Sequence, residues 1–146
     1  MTDLLELLNA GEQNISRLTD PAELRSAAAR VLEFARSRGV TSLHAASPAA
    51  ERVVGAALVS GTNGVDAFPS THPIVAPVAL VVDVNLASGT AVAHAARRVR
   101  RAGVGHVLAA VLHQLTPSTP GPQDCYVDEL VVLDQALGSR TQPNIS

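Results

Sequence analysis

The stretch that decides the fold is Val78-Ala79-Leu80-Val81-Val82-Asp83-Val84-Asn85-Leu86-Ala87-Ser88-Gly89-Thr90, in a chain of 146 residues. Its opening run is apolar, rich in β-branched valine and too short for a helix. Because polar residues do not alternate with apolar ones, the run is typical of a strand buried on both faces of a parallel sheet. We predict a strand over 78–82, a loop that starts at Asp83, and a helix over about 90–102.

Helix signals also precede this stretch. Asp20-Pro21 offers an acidic N-cap and a first-turn proline, and Gly39 is placed to end the same helix. Ser47-Pro48 has the same pattern and predicts a helix that runs to about Ser60. Leucines near the N-terminus predict a shorter helix that ends near Gly11.

Further apolar runs predict strands between and after these helices. They lie at 40–46, 65–68, 107–112 and 126–133. Strand and helix therefore alternate as in βαβ units, whose parallel strands are joined by right-handed crossovers. The sequence predicts an α/β fold with an open, mainly parallel sheet and helices on both faces, in three Rossmann-type layers.

Length and composition favour one folded domain. Apolar residues make up 47% of the chain and charged residues 16%, which suits a single core. We expect this domain over 1–134, with N-terminal helices over 1–39, a βαβ core over 40–134 and a loose tail over 135–146. The chain shows neither a secretory signal nor an apolar run of the ~20 residues that span a membrane, so we expect a cytoplasmic protein with no membrane partner.

The charge pattern argues against a nucleic-acid partner. Net charge is −2 and every one of the 11 basic residues is arginine. The one cluster, Arg97-Arg98-Val99-Arg100-Arg101, falls in the last turns of a predicted helix, where it complements the helix dipole. The single Cys125 and the spacing of the histidines predict no structural metal site. His72, in the longest unassigned loop, is the best functional candidate among the histidines.

The loop after the central strand is the best candidate for a ligand site. In open parallel α/β sheets, ligands bind beyond the carboxyl ends of the strands, where loops meet helix amino ends. Gly89 lets the backbone approach an anion, Ser88 and Thr90 can donate hydroxyl hydrogen bonds, and the next helical turn offers unpaired N–H groups. A phosphate suits this arrangement. The alternative is an ordinary connection in which Asp83 is a turn residue and Ser88 or Thr90 is an N-cap.

The segment from Ala79 to Ala91 resembles the phosphoribosyl-pyrophosphate signature of the type I phosphoribosyltransferases, with Asp83, Ala87, Ser88 and Gly89 aligned without a gap. By this resemblance, Asp83 is the catalytic acid that holds the ribose hydroxyls, and Ala87, Ser88, Gly89, Thr90 and Ala91 wrap the 5′-phosphate. The resemblance implies a phosphoribosyltransferase-like fold and a phosphoribosyl pyrophosphate or ribose 5′-phosphate ligand. It also implies Mg²⁺ for catalysis and transfer of ribosyl phosphate to a nitrogenous base.

The order of elements from about Val40 to Leu112 follows the same family. Ser47-Pro48-Ala49 falls at the family's pyrophosphate-binding loop after the first strand. Arg52 follows closely, and its guanidinium matches pyrophosphate oxygens in a bidentate fork. Plain helix capping is the alternative for Ser47 and Pro48.

Several departures from the signature support other functions. Val84 replaces the second acid, Thr90 the second glycine and Ala91 the closing hydroxyl residue, and the segment from Gly61 to Pro77 is shorter than the mobile hairpin that covers the reaction in active members. The alternative prediction is a catalytically degenerate member that senses nucleotides or supports assembly without transferase activity. A third prediction is a structural subunit whose alanine-rich helices pack against copies of itself. We expect a homodimer or another homo-oligomer.

Overall fold

The computed structural model describes residues 4–60, 77–116 and 120–134. The elements in these ranges are α1 (Leu4–Arg17), α2 (Pro21–Arg38), β1 (Ser42–Ala45), α3 (Pro48–Ser60), β2 (Val78–Leu86), α4 (Thr90–Arg101), β3 (His106–Gln114) and β4 (Glu129–Val132). A short 3₁₀ helix, Pro122–Cys125, precedes β4. The predicted strand at 65–68, His72 and the predicted tail at 135–146 lie outside the described residues.

The strands form one open sheet in the order β1-β2-β3-β4, and every neighbouring pair is parallel. Leu43 aligns with Leu80, and Leu80 aligns with Leu108 on the other side. The two central strands have 9 residues each and the two edge strands have 4. The predicted α/β class with an open parallel sheet is confirmed.

Helices cover both faces of the sheet, as the sequence predicts. On one face α2 and α3 pack against alternate residues of the central strands, in a cluster that includes Val31, Val53, Leu80, Val82 and Leu108. On the other face α4 packs against the intervening residues, in a cluster that includes Val92, Val99, Val81, Val107 and Ala109. Each valine or leucine buried in these clusters stabilises the fold by about 1.5–3 kcal/mol.

The helices that follow β1 and β2 pack on opposite faces of the sheet. The chain moves across the sheet in the same direction from β1 to β2 and from β2 to β3, yet α3 packs on one face and α4 on the other. Two right-handed crossovers in one direction would place both helices on the same face. The connection through α3 also includes residues 61–76, which lie outside the described ranges, so the right-handed crossover there stays a prediction.

Helix α1 continues past its predicted end at Gly11. This glycine is buried, and a Cβ there would lie 3.4 Å from both Asn85 Nδ2 and Leu115 Cδ1, so close packing explains it. Asn14 Nδ2 donates to Asn85 Oδ1 at 2.8 Å, and Asn85 Nδ2 donates to the Gly11 carbonyl at 3.1 Å. These contacts hold α1 over the carboxyl end of β2.

The predicted caps of α2 and the bounds of α3 are confirmed. Asp20 accepts a hydrogen bond from the Ala22 N–H at 2.9 Å, and Gly39 ends α2 in the left-handed conformation with φ of 67°. Helix α3 spans Pro48–Ser60, as its N-cap signal predicts. None of the helices in the described ranges combines the length and the apolar character that crossing a lipid bilayer requires.

Candidate functional site

Strand β2 is longer than the sequence predicts, and this shortens the candidate loop. The strand continues through Asp83 to Leu86, and Asp83 aligns with Val111 of β3. Only residues 87–89 separate β2 from α4. The predicted strand end at Val82 is therefore wrong, because the polar residues that follow it still pair their backbone with β3.

Asp83 lies buried at the level where the neighbouring strand β1 has ended. It is 6% exposed, and its Oδ1 accepts hydrogen bonds from Ser47 Oγ and from the Val84 N–H, both at 2.8 Å. The last ladder pair of β1 joins Ala45 to Val82. Strand β1 does not extend far enough to pair with Val84, so the Val84 N–H donates to the Asp83 side chain instead. Its second oxygen, Oδ2, has no hydrogen-bond partner in the part of the chain that the structure describes.

Burial raises the pKa of the Asp83 carboxyl above its ordinary value, and the hydrogen bonds from Ser47 and Val84 offset part of this rise. Within residues 4–60, 77–116 and 120–134, no arginine or histidine forms an ion pair with it. The carboxylate is therefore held by neutral donors alone. Such a group suits a ligand that donates hydroxyl hydrogen bonds.

Ser47 brings the two predicted ligand loops into direct contact. Besides donating to Asp83, its Oγ accepts from the Ala50 N–H at 3.2 Å and its carbonyl accepts from the Glu51 N–H at 3.1 Å, so it is the N-cap of α3. The capping alternative for this residue is thus realised alongside the contact with Asp83. The structure places the exposed Pro48 and the half-buried Ala49 in the first turn that follows.

Arg52 is not joined to this pair. Its side chain is exposed on α3, and in the described ranges it forms neither an ion pair with an acid nor a hydrogen bond to Ser47 or Asp83. The structure therefore assembles Ser47 with Asp83 and leaves the predicted pyrophosphate role of Arg52 without a supporting contact.

The amino end of α4 presents two hydroxyl groups to solvent. Ser88 Oγ and Thr90 Oγ1 are exposed and lie 2.9 Å apart in a hydrogen bond, and the Thr90 N–H lies 3.4 Å from Ser88 Oγ. Ala87 and Ala91 on either side are also exposed. The N-cap, Gly89, has no side chain to accept from the helix, and the first turn carries no acidic residue. Both features leave the positive end of this helix without a neutralising side chain.

Close packing beneath the same loop explains why position 89 is a glycine. Gly89 is buried with φ of 83°, and a Cβ there would lie 2.7 Å from Cys125 Sγ and 3.1 Å from Pro120 Cγ. Glycine is needed both for the left-handed backbone and for the space. The sequence pattern singled out this glycine for contact with an anion, and it did not reveal the packing against Cys125.

Three further polar residues near the carboxyl edge of the sheet were not singled out from the sequence. Asn85 bonds to α1, and it could have been noticed because it follows Asp83 at the strand period of two. His113, at the end of β3, pairs through Nδ1 with Asp134 Oδ2 at 2.6 Å. Asp134 also bonds to Arg30. No sequence signal joins these residues, because 21 to 104 positions separate them along the chain.

The ranges that the structure describes contain no cluster of three or more histidine, cysteine, aspartate or glutamate side chains arranged to bind a metal ion. Asp83 is the single carboxylate among the candidate positions at 47–49 and 83–91. Any Mg²⁺ there would take its other oxygen ligands from a bound phosphate and from water.

No protein-family model matches the chain, and no curated protein is significantly similar to it. The resemblance to the type I phosphoribosyltransferases therefore stays a prediction that rests on the residues themselves.

Proposed function

We propose that the chain binds a phosphoribosyl ligand, either phosphoribosyl pyrophosphate or a ribose 5′-phosphate. The observation that carries this proposal is the 2.8 Å hydrogen bond from Ser47 to Asp83, because it joins the two segments that the resemblance assigns to one ligand. The bond lies at the carboxyl edge of a parallel sheet, which is where α/β folds of this kind place their ligands.

The amino end of α4 supports the phosphate half of the proposal. Helix amino ends attract anions through unpaired N–H groups and the helix dipole. Ser88 and Thr90 add two exposed hydroxyl donors, and no acid in the first turn competes with the ligand. The 5′-phosphate would bind across these groups.

Asp83 supports the ribose half. Its Oδ1 is occupied by Ser47 and Val84, while Oδ2 has no partner among the described residues and can accept from a sugar hydroxyl. Such a hydrogen bond stabilises the ionised carboxyl, so ligand binding opposes the burial that raises the pKa of Asp83. Affinity should therefore increase as pH rises through the pKa of this group.

The reaction implied by the resemblance is transfer of ribosyl phosphate to a nitrogenous base. A bond forms between C1 of the ribose and a ring nitrogen of the base, the C1–oxygen bond to pyrophosphate breaks with its electron pair leaving on pyrophosphate, and the proton of the ring nitrogen is released to water. Mg²⁺, held by Asp83 and by ligand oxygens, would neutralise the charge of that leaving group. Asp83 itself would orient the ribose.

A second candidate function, binding without transfer, is favoured by the position of Val84. In the family this position often carries a second acid, with proline in the uracil-type members, whereas Val84 is 1% exposed and lies in the core cluster between the sheet and helices α2 and α3. The chain thus offers one carboxylate where many members of the family have two. A module that senses a nucleotide or supports assembly of a homo-oligomer would need only the binding half of the site.

Calorimetric titration separates these functions. We expect phosphoribosyl pyrophosphate with Mg²⁺ or ribose 5′-phosphate to bind, Asp83→Asn to weaken binding at least tenfold, and the exposed control Glu33→Gln on α2 to leave it unchanged. Base-dependent release of pyrophosphate supports the transferase, and binding without release supports the second candidate. If neither ligand binds, or if Asp83→Asn binds as well as the unmodified chain, the phosphoribosyl proposal is wrong.

A further inference from the structure

The segment Pro120–Val127, which we call the strap, lies along α4 between β3 and β4. At the amino end of α4, Pro120 and Cys125 pack so closely under Gly89 that a Cβ on this glycine would lie 2.7 Å from the cysteine sulfur. Cys125 is fully buried, in the apolar cluster that also contains Val92 of α4. The strap therefore forms the floor under the loop that the proposed phosphate would occupy.

Two arginines of α4 hold the other end of the strap. The Arg97 guanidinium lies 4.2 Å from the centre of the Tyr126 ring and donates to the Tyr126 hydroxyl at 2.7 Å. Arg100 donates from Nε to the Tyr126 carbonyl at 2.9 Å, and it pairs with Asp128 at 3.3 Å. Arg97 thus contacts the side chain of Tyr126, and Arg100, one helical turn later, contacts its backbone carbonyl.

Tyr126 has a left-handed backbone conformation, which is unfavourable for a tyrosine. Its φ is 59°, and it is the one non-glycine residue with positive φ in the part of the chain that the structure describes. Aromatic residues rarely occupy this left-handed region, and they do so where surrounding contacts impose it. Here Tyr126 ends the 3₁₀ helix, where the Tyr126 N–H donates to the Gln123 carbonyl at 3.3 Å and the Val127 N–H to the Pro122 carbonyl at 3.1 Å. Arg97 and Arg100 add the side-chain contacts that fasten this turn to α4, so loss of either should let the strap relax.

We propose that the strap holds the Ala87–Thr90 loop in its observed shape and that Arg97 and Tyr126 are positioning residues for this loop. The chain of contacts runs from Arg97 to Tyr126, through the 3₁₀ helix to Cys125, and from Cys125 to Gly89. The expected effect on ligand affinity rests on the proposed function. If the strap stabilises the loop shape that binds phosphate, then bound phosphate stabilises the closed strap to the same extent. The mechanical coupling, by which the strap fixes the shape of the loop, does not depend on a ligand.

Two probes follow the strap and the loop separately. Cys125 is the single cysteine of the chain and is buried, so a thiol reagent modifies it only when the strap opens. The Ala93 N–H donates to the Gly89 carbonyl at 2.9 Å, so its hydrogen exchange reports on the loop. Both measurements are made without ligand.

The test compares Arg97→Gln with a matched control, Arg38→Gln. Arg38 also lies over an aromatic ring, Phe34 at 4.7 Å, and also makes charged hydrogen bonds, to Glu129, but it lies on α2 away from the loop. We expect Arg97→Gln to speed both thiol modification and Ala93 exchange by about tenfold, and the control to change neither. Tyr126→Phe keeps the ring under Arg97 and loses the hydroxyl, so its effect should fall between.

Faster thiol modification without faster Ala93 exchange in Arg97→Gln overturns the inference, because the strap would then open without moving the loop. Unchanged modification overturns it as well. With ribose 5′-phosphate as the probe, Arg97→Gln should weaken binding several-fold, although Arg97 contacts Tyr126 of the strap and not the loop. Unchanged affinity would show that the strap does not influence ligand binding. If the unmodified chain binds no ribose 5′-phosphate, the proposed function fails, while the two ligand-free probes still decide the mechanical coupling.

Discussion

Helices α3 and α4 both begin at the carboxyl edge of the sheet, but they begin in different ways. At α3, the Ser47 hydroxyl accepts from a first-turn N–H, and Glu51 places a carboxylate in that turn. At α4, the cap is Gly89, which has no side chain, Ser88 Oγ accepts only a long hydrogen bond from the Thr90 N–H at 3.4 Å, and no acid lies in the first turn. The first helix end thus has a capping side chain and a carboxylate, whereas the second has one long hydrogen bond to an exposed hydroxyl and no carboxylate. An anion site is therefore better placed at α4 than at α3, which is also the order in which the sequence patterns ranked the two segments.

The largest expected effect comes from Gly89→Ala. The new Cβ meets Cys125 and Pro120 and also occupies a left-handed backbone, so we expect a loss of about 3 kcal/mol or more in the free energy of unfolding. Gly39→Ala is the matched control, because Gly39 is also left-handed but has nothing within 4 Å of its Cβ position. It should lose about 1 kcal/mol. Urea denaturation of both variants measures the difference, and equal losses would contradict a packing role for Gly89.

Ser47→Ala should have the next largest effect. It removes the cap of α3 and one of the two donors to the buried Asp83, which together should cost about 2 kcal/mol. Ser88→Ala at the other helix should cost less than about 0.5 kcal/mol, since this hydroxyl bonds only to exposed groups. Thermal and urea unfolding test this order. A larger loss of stability for Ser88→Ala than for Ser47→Ala would contradict the conclusion that the amino end of α3 is capped more strongly than that of α4.

Thr90→Asp should produce a smaller effect of the opposite sign. A carboxylate in the first turn of α4 supplies the charge that this turn lacks, so stability should rise by about 0.5 kcal/mol at low salt. The same carboxylate should prevent phosphate from binding. The mirror variant, Glu51→Gln in α3, should lower stability by a similar amount. Both changes should shrink in 1 M salt, and a rise that persists there would contradict the electrostatic explanation.

The pH dependence of Asp83 should give the smallest effect. Burial raises its pKa in the folded state, so its contribution to stability is greatest below the ordinary pKa of about 3.9 and is lost as pH rises through the folded value. The stability of the unmodified chain relative to Asp83→Asn should therefore fall as pH rises from the acid side towards neutrality. Urea midpoints of both proteins across this range provide the measurement. A relative stability that increases with pH would mean that the carboxylate is better stabilised by its two donors than its burial implies.

Local sequence signals predicted most of the element order but not the ends of the central strands. The start of α3 and the caps of α2 are set by neighbouring residues, Ser47-Pro48 and Asp20 with Gly39, and these predictions were correct. The end of β2 was wrong because Asp83 and Asn85 look like loop residues, while their backbone pairs with β3 and their side chains find partners 36 and 71 positions away. Gly11 was misjudged for the same reason, and the packing of Gly89 against Cys125 was not foreseen, since each glycine is approached closely by a distant segment.

The amide contacts of α1 have a consequence for the dynamics of the molecule. Where α1 meets the sheet, its buried residues are Gly11 and Asn14, while Leu4 and Leu8 remain 69% and 57% exposed. Little buried apolar surface therefore becomes exposed to solvent if α1 detaches from the sheet. The backbone amides of α1 should exchange with solvent through this local opening, and those of β2 and β3 only through global unfolding. Such an opening would free the Asn85 side chain, two residues from Asp83, and so lay bare the far end of β2 without unfolding the sheet.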